Sequence, residues 1–408
     1  KNKKSLDIEN IISKAEKKLN ISLNRILLSN ERDIGHSYLD DSYYILTNSF
    51  FKKLNRYNVN KIILNACNEV IFFLKKEKYD LILSGNNSSF YYFLISFFSK
   101  YFDIPYYVSR RSKIIKDSFF WTKDHFMQNV EGIKIFKKKK LIISKSTRNY
   151  LINYRKNPET IKYIKENWRK KENFLLNKFL NFSNIIFNNF ASLLNKKYKY
   201  KEILNPFFES FHMLIYKNKR SHYKKINEND LKKTKYLYYS LHKEPELALN
   251  FISPKFHNQL NVVKLLSANT PFNYKLFIRE HRLNVGRRKR KFFNVIRKFP
   301  NVVLIDPFDS QFKYIKNADL VITDNGSSGW EALMMKKKVL GIGESFYYVI
   351  LKNKTNDFDE IDKKILKSLS NKEITKDNEL ALLYDAEKST TFFEDKKGIS
   401  KSLSCIKF

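Results

Sequence analysis

In the second half of the chain, short apolar runs alternate with segments whose apolar residues recur at helical spacing. Runs such as KYLYYSL and ADLVITD are dense in aliphatic and aromatic residues, which is typical of strands buried on both faces. We predict strands at residues 235–241, 274–280, 301–306, 318–324 and 338–343. We predict helices between them at residues 257–268, 286–298, 309–317 and 329–336. This alternation favours a parallel sheet of the α/β class.

A similar but weaker alternation occupies the first part of the chain. Strands are predicted at residues 43–47, 80–85 and 104–110, and helices at residues 60–76 and 88–102. The sequence therefore predicts an α/β protein with two parallel-sheet domains of similar size, joined by a linker, that leave a cleft between the carboxyl ends of their strands. In open α/β sheets, ligands bind outside the carboxyl ends of the strands.

Between the two series lies a long segment rich in lysine and asparagine with a helical pattern. We interpret it as a helical excursion and not as a third domain, because it contains no strand-like runs. The predicted division is a first sheet domain at 1–145, the helical excursion and linker at 146–234, a second sheet domain at 235–357, and a charged helical tail at 358–408. The tail is expected to pack back toward the N-terminal domain.

The chain is strongly basic, with 78 Lys and Arg residues against 41 Asp and Glu residues and a formal net charge of +37. Such a surface attracts polyanions. No nucleic-acid-binding motif accompanies the charge, so nucleic acid is not an expected partner. Solvated lysine faces are the first interpretation of the charge, a membrane or anionic-glycan surface is the second and nucleic acid is the last. Low Gly and Pro usage indicates that part of the charge reflects a compositional bias.

The two cysteines, Cys67 and Cys405, lie far apart and predict neither a disulfide framework nor a metal cluster. Their scarcity fits a reducing cytoplasm. The longest apolar run, at 90–102, is interrupted by Lys100 and is shorter than a membrane span requires. We therefore expect a cytoplasmic protein whose contact with the inner face of the cytoplasmic membrane is peripheral.

Four of the nine glycines fall within residues 323–343, in the stretch TDNGSSGWEALMMKKKVLGIG. Its first part reads as a strand, a tight turn containing Gly326, and the amino end of a helix. A helix amino end presents unpaired N–H groups and a positive dipole end, which suit a phosphate or a carboxylate. We expect Gly326 to adopt a positive φ, Ser327 or Ser328 to cap the helix, and Gly329 to allow close approach of a ligand.

Two further polar clusters follow predicted strands of the same series. LHKEPE at 241–246 comes after the first strand, and REHR at 279–282 comes after the second. Because the carboxyl ends of parallel strands share one edge, both clusters are expected beside the serine-bearing turn. The sequence therefore predicts a ligand site at this edge.

Taken in order, these motifs resemble the capsule polysaccharide biosynthesis family, which includes the bacterial Kdo transferases of capsule assembly. The matching stretches are LHKEPE, Asn258 with Gln259, FIREHR, NVVLIDP, ADLVITDNGSSGWEAL and KKVLGIGESFY. The similarity is dense over 235–347 and looser over 79–112. Two features depart from the family pattern: Arg282 replaces the usual proline, and KKKV at 336–339 replaces Gly-Lys-Pro-Val.

The resemblance implies a GT-B glycosyltransferase with two Rossmann-like parallel-sheet domains that face each other across a cleft. The second domain would hold a nucleotide-sugar donor, and the first would bind a glycan or glycolipid acceptor. It implies donor-binding roles for His242, Glu246, Glu280, His281, Ser327, Ser328, Gly329 and Glu331. We add Glu244 as a further candidate in the first motif, and Arg279 or Arg282 as a cation near the donor phosphate. A CMP-sugar is the favoured donor, carrying Kdo or a related acidic sugar, and no cofactor or metal is expected.

The group that activates the acceptor is expected from the first domain, where NERDIGHSYLDD concentrates acidic residues in a basic chain. We predict Asp33 and His36 as the catalytic residues, because a carboxylate or imidazole can take the hydroxyl proton. Arg110 and Arg111 follow a predicted strand and are candidates for binding an anionic acceptor or the carboxylate of the sugar.

Two alternatives remain open at the level of sequence. A teichoic-acid-type polyol-phosphate transferase shares the architecture and has a similar serine-bearing turn. A basic membrane- or nucleic-acid-binding protein that has lost catalysis would have the same charge, and its binding would collapse with rising salt.

Overall fold

The computed structural model describes residues 7–27, 56–85, 90–123, 128–139, 141–159, 223–244, 248–285, 288, 290–371 and 375–406. Within these ranges the chain forms two β-sheets flanked by helices, so the predicted α/β class with two sheet domains is confirmed. The predicted strand at 43–47 and most of the helical excursion lie outside the described residues.

The strands are β1 (Ile82–Ser84), β2 (Tyr106–Arg111), β3 (Ser118–Thr122), β4 (Tyr236–Ser240), β5 (Lys275–Arg279), β6 (Val302–Ile305), β7 (Leu320–Thr323), β8 (Val339–Ile342), β9 (Lys354–Thr355) and β10 (Phe392–Phe393). The α-helices are α1 (Ile8–Leu19), α2 (Leu23–Leu27), α3 (Arg56–Lys76), α4 (Phe90–Tyr101), α5 (Val130–Lys138), α6 (Lys145–Lys156), α7 (Glu228–Lys233), α8 (Gln259–Ala268), α9 (Arg290–Ile296), α10 (Gln311–Asn317), α11 (Ser327–Met334), α12 (Ile361–Ser370), α13 (Asp377–Ser389) and α14 (Lys396–Ser404).

The second sheet has six strands in the order β6-β5-β4-β7-β8-β9, and every pairing is parallel. All five strands predicted for this half are present, together with the short β9. The buried side chains alternate between the two faces: Tyr236 and Tyr238 belong to one apolar cluster, and Leu237 and Tyr239 to the other. Both faces are covered by helices, which explains why these strands read as continuous apolar runs.

The described strands of the first sheet have the order β1-β2-β3-β10. The pairing of β1 with β2 is parallel, as predicted, but β3 and β10 join the sheet antiparallel. We did not predict β3. Only residues 112–117 separate it from β2, which is too short for the crossover that a parallel pairing needs.

The first sheet packs on a cluster of apolar residues from α1, α2, α3 and α4. The helices α3 and α4 agree with the predicted helices at 60–76 and 88–102. In α4, Phe93, Leu94 and Phe97 are almost fully buried, so its long apolar run belongs to the protein interior. None of the helices among the described residues is long and apolar enough to cross a membrane.

The helix α12 packs against β8 and β9 of the second sheet, and the residues after it return to the elements around the first sheet. The helix α13 packs against α5 and α6, and β10 pairs with β3. Asp385 of α13 accepts hydrogen bonds from the Ser144 main-chain N–H at 2.9 Å and from the Thr147 hydroxyl at 2.5 Å, at the amino end of α6. Buried Glu387 accepts from Ser112 and Asn129 at 2.9 and 2.8 Å. The tail is therefore an integral part of the packed structure.

Candidate functional site

The second sheet has one point at which its strand order reverses, between β4 and β7. From β4 the chain proceeds outward through β5 and β6, and it then returns to β7 on the other side of β4 before continuing outward through β8 and β9. The connections leaving β4 and β7 diverge at their carboxyl ends and leave a crevice, which is where doubly wound sheets bind ligands. The loop beginning at Leu241 and the turn beginning at Asp324 lie at this crevice.

The turn after β7 leads directly into α11, with Gly326 at the N-cap position. Gly326 has φ −70° and ψ 158°, so the expected positive φ is wrong, and an extended N-cap conformation takes its place. The expectation that Ser327 or Ser328 caps the helix is also wrong, because both residues lie inside its first turn. Instead, the Thr323 hydroxyl accepts a hydrogen bond from the Gly326 N–H at 3.1 Å.

The side-chain hydroxyls of Ser327 and Ser328 do not cap the helix. Ser327 is half-buried and Ser328 is 6% exposed, and neither side chain hydrogen-bonds to another residue in the described part of the chain. The main-chain N–H groups of the first turn of a helix have no partner within the helix. The amino end of α11 therefore offers several donors in one place.

Gly329 allows α11 to pack closely against Tyr347 and Thr323. A Cβ atom at this position would lie 2.3 Å from the Tyr347 hydroxyl and 2.5 Å from Thr323 Cγ2. The Tyr347 hydroxyl also donates to the Gly326 carbonyl at 2.6 Å. Glycine at position 329 thus lets α11 approach Tyr347, whose hydroxyl holds the turn through the Gly326 carbonyl.

His242 and Asp324 meet across the crevice. The imidazole Nε2 of His242 contacts Asp324 Oδ1, and Asp324 is fully buried. Gly326 lies beside this pair, since a Cβ atom there would be 3.3 Å from His242 Nε2 and 3.3 Å from Ser328 Oγ. The first predicted cluster and the serine-bearing turn are therefore brought together, as expected.

Glu244 and Glu280, two predicted donor-site residues, form a buried ion network. Arg288 is 0% exposed, and its guanidinium donates to Glu280 Oε2 at 2.6 Å and also contacts Glu244 Oε2. Burial raises the pKa of Glu244 to about 7, although Arg288 acts in the opposite direction. Burial likewise raises the pKa of Glu280. Both carboxylates are directed to Arg288, which also donates to the His242 carbonyl at 3.1 Å and so connects the loops after β4 and β5.

Arg279 and Arg282 anchor the loop after β6. Arg279, which is 4% exposed, donates to the Pro307 carbonyl at 2.6 Å and to Gln311 at 3.3 Å. Arg282 donates to the carbonyls of Pro307 and Phe308 at 2.9 and 3.2 Å. We predicted one of these arginines as a phosphate-binding cation, but the guanidinium groups are engaged by main-chain oxygens. His281, which lies between them in sequence, is half-buried at the strand end.

Glu331, another predicted donor-site residue, lies in the second turn of α11. Its carboxylate accepts a hydrogen bond from Gln311 Nε2 at 2.8 Å and is 4% exposed. Burial raises the pKa of Glu331 to about 8, while Arg279 and Gln311 act to lower it. Glu331 therefore faces α10 and the interior.

We expect Glu331→Gln to alter how stability depends on pH. A carboxyl whose folded pKa is raised stabilises the fold below its unfolded pKa of about 4.5, and this contribution disappears as the pH rises toward 8. Glutamine does not titrate, so the variant should gain on the order of 2 to 4 kcal/mol relative to the native chain between pH 5 and pH 8. Urea unfolding at both pH values measures the change, with exposed Glu131→Gln as the control. An equal difference at both pH values would contradict the prediction.

The remaining predicted residues are distributed as follows. Arg111 ends β2 and pairs with Glu394 of the tail at 2.7 Å, and Arg110 lies opposite Phe120 of β3. Both therefore belong to the first sheet beside the returning tail. Asp33, His36 and Glu246 lie outside the described residues, so their roles stay predictions.

Several residues of the site were missed by sequence reasoning, namely Asp324, Arg288, Asn284 and Gln311. Asp324 is the last residue of a predicted strand in the quoted motif, and the alternation of side chains along β7 places it on the same face of the sheet as Tyr239 of β4. That signal could have identified it. Arg288 is one of several basic residues in GRRKRK, and nothing in that run distinguishes a fully buried arginine from solvated ones.

No protein-family model matches the sequence, and no curated protein matches it. Among solved structures, the chain is similar to the beta Kdo 2,7 transferase of Thermosulfurimonas dismutans KpsC, at 12% identity over 84% of each chain with a TM-score of 0.39. It is also similar to the beta Kdo 2,4 transferase of the same KpsC, at 10% identity over 75% of this chain and 78% of that chain, with a TM-score of 0.40. A third similar structure is Staphylococcus aureus MnaA with UDP, at 14% identity over 80% and 76% of the two chains and a TM-score of 0.29.

Proposed function

We propose that the protein is a glycosyltransferase of the GT-B type that uses a nucleotide-sugar donor. The observation that carries the proposal is the amino end of α11 at the crevice between β4 and β7. There, Ser327, Ser328 and the first-turn N–H groups have no partner in the described part of the chain, and a phosphate is the ligand that such a place favours. The order of motifs along 235–347 agrees with the family resemblance.

Transfer of the sugar breaks the bond between its anomeric carbon and a phosphate oxygen of the donor, and negative charge develops on the departing phosphate. Donors that are already aimed at this charge lower the barrier. The first turn of α11, together with Ser328, would supply such donors, and His242 and His281 lie on the neighbouring strand ends. In this proposal the acceptor hydroxyl is activated from the first domain by Asp33 or His36.

We propose Kdo or a related acidic sugar as the transferred group, with a CMP-sugar as the donor and a bacterial surface polysaccharide or glycolipid as the acceptor. The support is the motif resemblance, together with a net charge of +37 that favours an anionic glycan or a membrane surface. The same charge supports peripheral contact with the inner face of the cytoplasmic membrane. No cofactor or metal enters the proposed reaction.

The double variant Ser328→Ala with His281→Ala tests the donor site. A ligand that binds only the folded state raises the melting temperature, so CMP, CDP, UDP and GDP can be compared by thermal shift. We expect CMP to stabilise the native chain, and we expect the double variant to bind CMP at least about tenfold more weakly, because each lost hydrogen bond to a charged group is worth about 1.5 to 3 kcal/mol.

Ser370→Ala is the matched control, since this hydroxyl lies on α12 and donates to the Lys367 carbonyl at 3.1 Å. Native-like CMP binding by the double variant would show that the donor site is misplaced. Release of CMP from CDP-glycerol, without turnover of a CMP-sugar, would favour the polyol-phosphate alternative. Binding that disappears with salt and is insensitive to both substitutions would favour a non-catalytic basic protein.

A further inference from the structure

Asp324 is the most heavily engaged carboxylate at the crevice. Oδ1 contacts His242 Nε2 and accepts a hydrogen bond from the Asn325 N–H at 2.8 Å. Oδ2 accepts from the Tyr239 hydroxyl at 3.3 Å and from Gln259 Nε2 at 3.2 Å. With a fully buried side chain, the carboxylate joins the end of β4, the end of β7 and the start of α8.

Gln259 completes the arrangement from α8. Its side chain is fully buried, and its Oε1 accepts a hydrogen bond from the His242 main-chain N–H at 3.0 Å. The main-chain carbonyl of His242 in turn accepts from Asn284 at 3.0 Å and from Arg288 at 3.1 Å. The backbone of His242 is thus fixed on both sides, and Asp324 fixes the ring.

The fixed ring of His242 lies beside the amino end of α11. The ring lies next to Gly326, and the Ser328 hydroxyl lies next to the same glycine. A larger residue at 326 would come between them, because a Cβ atom there is within 3.3 Å of both groups. The imidazole and the serine hydroxyl therefore border one small space at the amino end of α11.

We propose that Asp324 is a positioning residue: it orients His242 through Nε2 and secures the serine-bearing turn through the Asn325 N–H, so that the turn contacts the phosphate of the donor. This inference rests on the proposed function, which supplies the phosphate. Asp324 itself does not touch the donor, since its carboxylate oxygens face His242, Tyr239, Gln259 and Asn325. A carboxylate that orients an imidazole in this way fixes its tautomer and its direction.

The test compares Asp324→Asn with Tyr239→Phe. Both substitutions remove part of the buried hydrogen bonding around position 324, but only the first removes the carboxylate that holds His242. We expect Asp324→Asn to weaken CMP binding about tenfold to a hundredfold and to change the imidazole resonances of His242 in a two-dimensional ¹H–¹⁵N spectrum. Tyr239→Phe should lower the melting temperature while leaving CMP affinity and the His242 resonances as they are.

Equal losses of CMP affinity in the two variants, or unchanged His242 resonances in Asp324→Asn, would overturn the inference. The spectrum needs no ligand, so it tests the positioning of His242 independently of donor binding. If the native chain binds no CMP, the proposed donor fails, and a changed His242 spectrum would still support the positioning role. Asp319→Asn, at the opposite end of β7, where the carboxylate accepts from the Tyr236 N–H at 3.0 Å, controls for the loss of a carboxylate in this strand.

Discussion

Replacing Arg288 with methionine is expected to lower the free energy of unfolding by about 3 to 5 kcal/mol, the usual cost of removing one partner from a buried ion pair. The guanidinium is fully buried between Glu280 and Glu244, and its Nη2 also donates to the His242 carbonyl. Without it, two neighbouring carboxyl groups remain in the interior with no cation between them. Chemical denaturation monitored by circular dichroism at pH 8 measures the loss.

The loss should be smaller in acid. Burial raises the pKa of Glu244 to about 7 even with Arg288 present, so removing this cation raises it further. Below about pH 4.5 these carboxyls are protonated in the folded and unfolded states alike, and the charge penalty disappears. Adding Glu244→Gln and Glu280→Gln to the Arg288→Met variant should restore much of the stability at pH 8. A loss that is the same at pH 5 and pH 8 would exclude this explanation.

Ending the chain after Asn371 is expected to prevent stable folding. This truncation removes α13, whose Leu380 and Leu383 are 1% and 2% exposed in the cluster shared with the second sheet. Replacing one buried leucine with alanine lowers the free energy of unfolding by about 2 to 5 kcal/mol. Losing both leucines together with the rest of α13 should therefore lower it by at least about 5 kcal/mol. The whole free energy of unfolding of a protein is usually about 5 to 15 kcal/mol. Thermal melting and size-exclusion chromatography measure the outcome.

A truncation after Thr390 is the control. It keeps α13 with Asp385 and Glu387, and it removes only β10 and α14. We expect this shorter deletion to lower the melting temperature without abolishing the transition. If the chain ending at Asn371 melted cooperatively near the native temperature, α13 would be an appendage and not a part of the core.

Much of the fold could be predicted because buried parallel strands have a strong pattern. In β4 and β7 every residue but Ser240 is buried, so the apolar run and the strand coincide. The strand β3 was missed because neighbouring apolar residues, as in SFFWT, do not alternate with polar ones. So short an apolar run is equally compatible with a strand and with a helix. The pairing of β10 with β3 could not be predicted at all, since two adjacent phenylalanines in a charged tail give no partner.

The sequence located the candidate site but did not give the contacts that its residues make. Polar residues at strand ends indicated the edge, and His242 and Ser328 do lie together there. The chemistry of each residue depends on its partner, which sequence spacing does not give. Glu280 contacts Arg288 and Glu331 contacts Gln311. These partners lie 8 and 20 positions away in the sequence, and only the folded chain brings them together.

The pairing of Phe392 with Phe119 also bears on how the protein is made. These neighbours in the first sheet are about 270 positions apart in the chain. At synthesis rates of about 5 to 20 residues per second, β3 leaves the ribosome on the order of 15 to 55 s before its partner. During that time the edge of β3 is open, with buried Phe119 and Phe120 lacking their final cover, and an open apolar edge invites aggregation. The first sheet to be synthesised is thus among the last parts to be finished, and the nascent chain is expected to depend on chaperones until the tail arrives.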